Sequence, residues 1–151
     1  MVLRNLLVPV AENPESERAM DVACRLADRR AVIAVLHVIE IPPVLPLAAH
    51  MLDEERAAHR LLERIAAVAD RYGVKVEPRM LQDRSAGEAI VGFAARRGVD
   101  LIVIGAPRKT HAAFGSTVEH VLRRADSRVM LIAAAPVQKA VNAAASVIAA
   151  A

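Results

Sequence analysis

Aromatic residues are almost missing from this chain of 151 residues: Tyr72, Phe93 and Phe114 make up 2 % of it, and there is no tryptophan. Proteins that grip single-stranded nucleic acid stack bases on aromatic rings, and this chain has no such platform. Cysteine is reduced to Cys24, which excludes an internal disulfide framework and a Cys-rich zinc site. Lysine occurs only at positions 75, 109 and 139. No apolar run approaches the roughly 18 residues that a transmembrane helix needs. Two ligand loops are also missing: there is no G-x-x-x-x-G-K-S/T segment, and no G-x-G-x-x-G follows the first strand-like run. The five histidines show no paired metal spacing, and no Ser-His-Asp or paired-carboxylate arrangement can be placed.

What is present is aliphatic. Hydrophobic residues make up 55 % of the chain and charged residues 25 %, with a mean hydropathy of +0.32, which is incompatible with intrinsic disorder. The length suits one domain. The net charge is +3, too small and too dispersed to argue for nucleic acid. The pairs Arg29-Arg30, Arg96-Arg97 and Arg123-Arg124 each fall near an expected helix end, where cations favour the negative end of the helix dipole. Met1 leads straight into a strand-like run with only Arg4 for charge, so no signal peptide is read and a cytoplasmic location is expected.

The order of patterns predicts an α/β fold. Leu6–Val10 is a short apolar run suited to a buried parallel strand. Asn13 is an N-cap, with Pro14 as the first helical residue and Ala19, Val22, Ala23 and Leu26 as the buried face. A second buried strand covers Val32–Ile39, and Pro42, Pro43 and Pro46 then enforce a loop. A helix is predicted from about Leu52 to Tyr72, closed by Gly73, followed by an edge-like strand over Val74–Leu81. Ser85 and Glu88 form a capping box for a helix that Gly98 ends. Leu101–Ile104 is the fourth strand. Ser116 to Glu119 reads as a second capping box, capped by Ser116, for a short helix burying Val118, Val121, Leu122 and Ala125. Val129–Ala133 is the fifth strand. Strands alternating with helices predict a parallel sheet with helices on both faces. Residues 1–136 are expected to form the domain. Residues 137–151 are an Ala-rich extension, whose stripe of Val137, Val141, Ala144 and Ile148 is compatible with docking on the body, on a partner, or with fraying.

Ligands of open parallel sheets bind beyond the carboxyl ends of the strands, where strand order reverses. With the first and fourth strands adjacent, Ala11-Glu12-Asn13 would meet the loop that starts at Gly105 and the helix start at Gly115-Ser116-Thr117. Helix N-termini offer free N–H groups to anions, and Arg108 and Lys109 would add positive charge. His111 lies in this loop and could touch a ligand. His37, inside the second strand, is read as a core or dimer-facing residue. Cys24 is read as buried and inert.

The segments Leu7-Val8-Pro9-Val10, Leu36-His37-Val38, Gly87-Glu88-Ala89-Ile90, Asp100 to Gly105 and Gly115 to Arg123 resemble a universal stress protein domain over roughly residues 3–135. The resemblance implies an adenine nucleotide alpha-hydrolase-like fold with strand order 3-2-1-4-5, and commonly homodimers that pair through the fifth strand, here Val129–Ala133. It also implies ATP, or another adenine nucleotide, held by an acidic residue after the first strand, a valine of the second, and a G-x2-G-x9-G-S/T loop. Val38 matches the valine, Gly105 the first glycine, and Gly115-Ser116 the terminal pair. Val10 flanks the first position. The acidic position falls on Ala11, with Glu12 beside it as a substitute. Arg108 stands at the second glycine, and six residues separate it from Gly115 where the motif has nine. The expected function is that of a non-catalytic regulatory protein of the stress-response type that binds an adenine nucleotide or another phosphorylated ligand. The alternatives are a dimeric interaction module that has lost ATP binding and, less favoured, a slow ATPase.

Overall fold

The structure, a computed structural model, describes residues 2–108 and 114–133. Lys109, Thr110 and His111 of the candidate loop, and the extension 137–151, lie outside the described residues. The chain runs β1 (Asn5–Pro9), α1 (Pro14–Leu26), β2 (Val32–Glu40), α2 (Leu52–Val68), a 3-10 turn (Ala69–Arg71), β3 (Lys75–Asp83), α3 (Ala86–Arg97), β4 (Leu101–Ala106), α4 (Ser116–Arg124) and β5 (Arg128–Ala133). The five strands form one sheet in the order β3-β2-β1-β4-β5. All neighbouring pairs are parallel, with Leu6 opposite Ile33 of β2 and Leu101 of β4.

The central strands carry unbroken apolar runs because both faces of the sheet are covered. Successive side chains alternate between faces. Leu6, Val8, Ile33, Val35 and Val103 pack with Met20 and Ala23 of α1 and Leu61 and Ile65 of α2. Leu7, Leu36, Ile102 and Ile104 pack on the other side with Ile90 and Phe93 of α3 and Val118 and Val121 of α4. Phe93 is the one aromatic fully committed to these cores, so aliphatic side chains fill both. The edges differ. β3 alternates charged and half-buried residues and tolerates Pro78, which a central strand would not. β5 is half-exposed along its length.

Most helix ends follow the local signals. The Asn13 side chain accepts from the Ser16 amide at 2.9 Å, and Pro14 opens α1. Ser85 caps α3 by accepting from the Glu88 amide. Gly98 (φ 59°) and Gly73 (φ 65°) supply left-handed turns after α3 and the 3-10 turn.

Four expectations need correction. Leu26, at the last turn of α1, does not join that helix's buried face and is 39 % exposed. The long helix ends as an α-helix at Val68 and tightens into the 3-10 turn before Tyr72. Ser116 does not cap α4: Gly115 is the cap residue and has no side chain to bond the helix start, and Ser116 is already helical. Leu122 does not join the buried face and is 48 % exposed, because α4 packs on the core through Val118 and Val121. Strand limits also shift slightly, β1 ending at Pro9 and β4 reaching Ala106. Val10 still donates its amide to the Leu36 carbonyl at 2.8 Å.

Candidate functional site

The reversal of strand order puts the carboxyl ends of β1 and β4 side by side, and a cavity of about 400 Å³ opens there. Val10 and Ala11 form its floor after β1, and His37, Val38 and Glu40 its side along β2. Gly105 and Pro107 come from the end of β4, and Gly115, Ser116 and Thr117 from the start of α4. Seven of the ten residues singled out in the sequence therefore meet in one place: Val10, Ala11, Val38, Gly105, Gly115, Ser116 and Thr117. Val38 is half-buried and packs onto the core shared with α3 and α4.

Glu12 and Arg108 are not among the lining residues. The Glu12 carboxylate accepts from the Arg64 guanidinium of α2 at 2.9 Å, and Arg64 also reaches Glu17 of α1 at 3.2 Å. The Glu12 contact, followed by the smaller one to Glu17, raises the Arg64 pKa above its ordinary range. Glu12 is thus drawn toward Arg64 of α2 and is not among the residues that line the cleft. Arg108 pairs with Phe114 in an antiparallel bridge that closes the loop between them. Its guanidinium lies 5.4 Å from the Phe114 ring centre, a cation–π contact at the rim of the cleft. Lys109 lies outside the described residues.

Two residues of the cleft carry more than the sequence reading assigned to them. Ser16 is buried, and its hydroxyl accepts from the Ala11 amide at 2.9 Å while donating to the Asn13 side chain at 3.1 Å. This network fixes the β1–α1 turn, and the spacing Asn13-x-x-Ser16 was the available signal for it. His37 is neither core nor at the β5 edge. It lines the cleft, and its Nδ1 donates to the Val10 carbonyl at 2.8 Å. That bond couples the end of β2 to the same turn.

Gly105 has a steric role as well. A Cβ there would lie 2.5 Å from the carbonyl carbon of Glu15 and 2.8 Å from the amide nitrogen of Ser16. The absence of a side chain lets the first turn of α1 sit directly against the end of β4. Cys24, by contrast, has no part in the cleft. It is buried in the core, and burial followed by the nearby Asp21 carboxylate pushes its pKa up to about 11. The thiol stays protonated and unreactive at neutral pH.

Chemically, the cleft offers an apolar side and an anion-binding end. Val10, Leu36, Val38, Ile90 and Ile104 suit a flat apolar group. The first amides of α4 have no intrahelical acceptors and point to the helix start, where the dipole favours negative charge. Glu40 is the one carboxylate among the described lining residues. A larger, open groove of about 650 Å³ runs between α2 and β3. Its lining includes the carboxylates of Glu63 and Asp70, which repel an anion, so anion chemistry belongs to the cleft.

A sheet of order 3-2-1-4-5 with a cleft at the reversal point defines the adenine nucleotide alpha-hydrolase-like class, and solved universal stress proteins share it. The family model described as "Universal stress protein family" matches residues 3–133. The chain belongs to that family. A universal stress protein of Methanocaldococcus jannaschii is 28 % identical over 141 residues, covering 85 % of this chain and 81 % of its own. The Archaeoglobus fulgidus universal stress protein in complex with dAMP superposes with a TM-score of 0.70 at 22 % identity, covering 87 % of this chain and 99 % of its own. A universal stress protein in complex with cAMP gives a TM-score of 0.71 at 22 % identity, with 87 % and 98 % covered.

Proposed function

We propose that this chain is a non-catalytic regulatory protein that binds an adenine nucleotide, or another phosphorylated ligand, in the cleft between β1 and β4. The observation that carries this reading is the convergence of an apolar wall with the open first turn of a nine-residue helix, α4, in one cavity of about 400 Å³. The base would lie against Val38 and Val10, and phosphate would take the amides of Ser116 and Thr117 together with the Ser116 hydroxyl. That dAMP and cAMP occupy proteins of the same fold supports the ligand class.

Ala11 offers no carboxylate to the purine or ribose, so discrimination of adenosine from other nucleosides would be shallow. Glu40 has no second carboxylate beside it among the described cleft residues. A metal-assisted phosphoryl transfer therefore lacks its usual ligands, which supports a binding role over an ATPase. Calorimetry and thermal shift with ATP, ADP, AMP and cyclic AMP test the proposal. Saturable binding with a raised melting temperature is expected, and the absence of binding to all four at millimolar concentration would refute it.

A second reading rests on a different observation. The half-exposed β5 and the exposed Leu122 on α4 leave an apolar strip at one sheet edge. We propose that this edge pairs two copies of the chain, an assembly that an interaction module without nucleotide would share. Native mass spectrometry of freshly purified protein separates the readings. Nucleotide retained at near-stoichiometric level excludes the version that has lost its ligand.

A further inference from the structure

The helices on one face of the sheet stop short of its β3 edge. α1 lies over β1 and β4 and α2 over β2 and β3, and no further helix follows on that face among the described residues. The groove of about 650 Å³ lies there, between the outer flank of α2 and β3. Strand alternation makes its floor apolar: Val76, Pro78 and Met80 face α2, while Lys75, Glu77 and Arg79 point to the other side. Val76 and Met80 are only half-buried, and Pro78 is exposed. On α2, Leu61 and Ile65 turn to the core, and the next flank presents Leu62, Ala66 and Ala67 to the groove. A contiguous apolar surface rimmed by polar groups marks a site of contact.

We propose that this groove docks an amphipathic helix of a partner protein, with aliphatic side chains on its buried stripe and lysine or arginine beside them. The shape of the site favours a helix over a strand. Pro78 has no amide to offer, and charged residues alternate along β3, so this edge is a poor template for an added strand. The occupant therefore lies against the face of β3, where a third helix would complete the layer. Ala66 and Ala67 let its axis approach α2 closely. From His59 to Asp70 the helical wall runs about 16 Å, or three turns, enough for anchors at the spacing of one helical stripe. The charge of the site selects the partner. Glu63 and Asp70 line the groove, with no lysine or arginine beside them in its lining. Among the described residues neither carboxylate is in an ion pair, although Glu12 and Glu17 share Arg64, Asp21 holds Arg25 and Glu77 holds Arg97. Both stand ready for cations that flank an apolar stripe. No residue lines both the groove and the cleft, so the docking does not depend on the nucleotide reading.

Fluorescence anisotropy with the full chain tests the proposal, using a labelled amphipathic helical peptide of leucine and lysine and its leucine–glutamate counterpart. The lysine peptide should bind saturably and the glutamate peptide should not. E63K/D70K changes two exposed side chains and should weaken the lysine peptide by about tenfold or more. Ala66→Gln fills the groove without changing its charge and should weaken it by a similar factor. Methyl NMR of the wild-type chain supplies a reading that needs no variant to fold: the lysine peptide should shift the Val76 and Met80 signals and leave Leu122 unmoved. Absence of binding at millimolar peptide would overturn the docking, as would equal binding of the glutamate peptide or an affinity unchanged in both variants. Shifts confined to Leu122 would overturn it as well. Val76 and Met80 signals that move when the protein alone is diluted would overturn it in favour of a second copy of this chain.

Discussion

At the scale of single residues, Gly105 carries two roles that the sequence alone presents as one. Its place in a glycine loop suggested contact with phosphate. The packing shows that any side chain there strikes the Glu15 carbonyl, a backbone group in the first turn of α1 that cannot turn aside. Gly105→Ala should therefore destabilise the fold by about 1–3 kcal/mol, as overpacking of a tight contact does. Urea unfolding measures this, and an unchanged midpoint would show that the turn yields. Cys24 gives a second test at this scale. Its pKa is raised from 9.0 to about 11 in the folded chain. The unfolded chain releases that proton first, so this contribution to stability is present below pH 9 and is lost as pH rises toward 11. Thiol alkylation at pH 8 should proceed only as fast as unfolding. Rapid labelling of the native protein would contradict the burial.

At the scale of elements, the strands and helix caps were legible because each rests on neighbouring residues. Asn13-Pro14 and Ser85-x-x-Glu88 announce helix starts, and Gly98 announces an end. The start of α4 was misread for a related reason. Ser116-x-x-Glu119 satisfies the pattern of a capping box, yet the chain enters the helix one residue earlier and Gly115 takes the cap position. Substituting the two serines separates capping from other roles. Ser85→Ala removes a side-chain cap and should cost about 1 kcal/mol. Ser116→Ala removes none and should change stability by less than about 0.5 kcal/mol, while weakening nucleotide binding if its hydroxyl meets phosphate. Chemical denaturation of both variants, paired with calorimetry for Ser116→Ala, reads the difference. A loss of stability at Ser116 equal to that at Ser85 would restore it to the role of cap.

At the scale of the whole molecule, the cleft was only partly legible, because a side chain's direction depends on partners distant in sequence. Glu12 stands beside the expected acidic position, and only Arg64, across the α1–α2 contact, turns it away. His37 lies within β2, a position that reads as core or dimer-facing, whereas its bond to the Val10 carbonyl, distant in sequence, sets it in the cleft lining. The same dependence governs Leu122. Helical spacing assigns it to the core, but α4 packs through Val118 and Val121, and among the described residues β5 is the outermost strand on that side and half-exposed. Burying Leu122 and the β5 strip against a second copy would cover both the apolar side chains and the open hydrogen-bonding edge, which otherwise invites uncontrolled pairing. The wild-type chain should therefore sediment as a dimer at micromolar concentration. Leu122→Asp places a carboxylate in that contact without disturbing the monomer, since the side chain is already 48 % exposed. Its dimer should weaken by at least tenfold while the melting temperature measured at high dilution stays close to wild type. Sedimentation equilibrium decides the matter: a wild-type monomer, or a variant that dimerises equally well, would move the interface away from this edge.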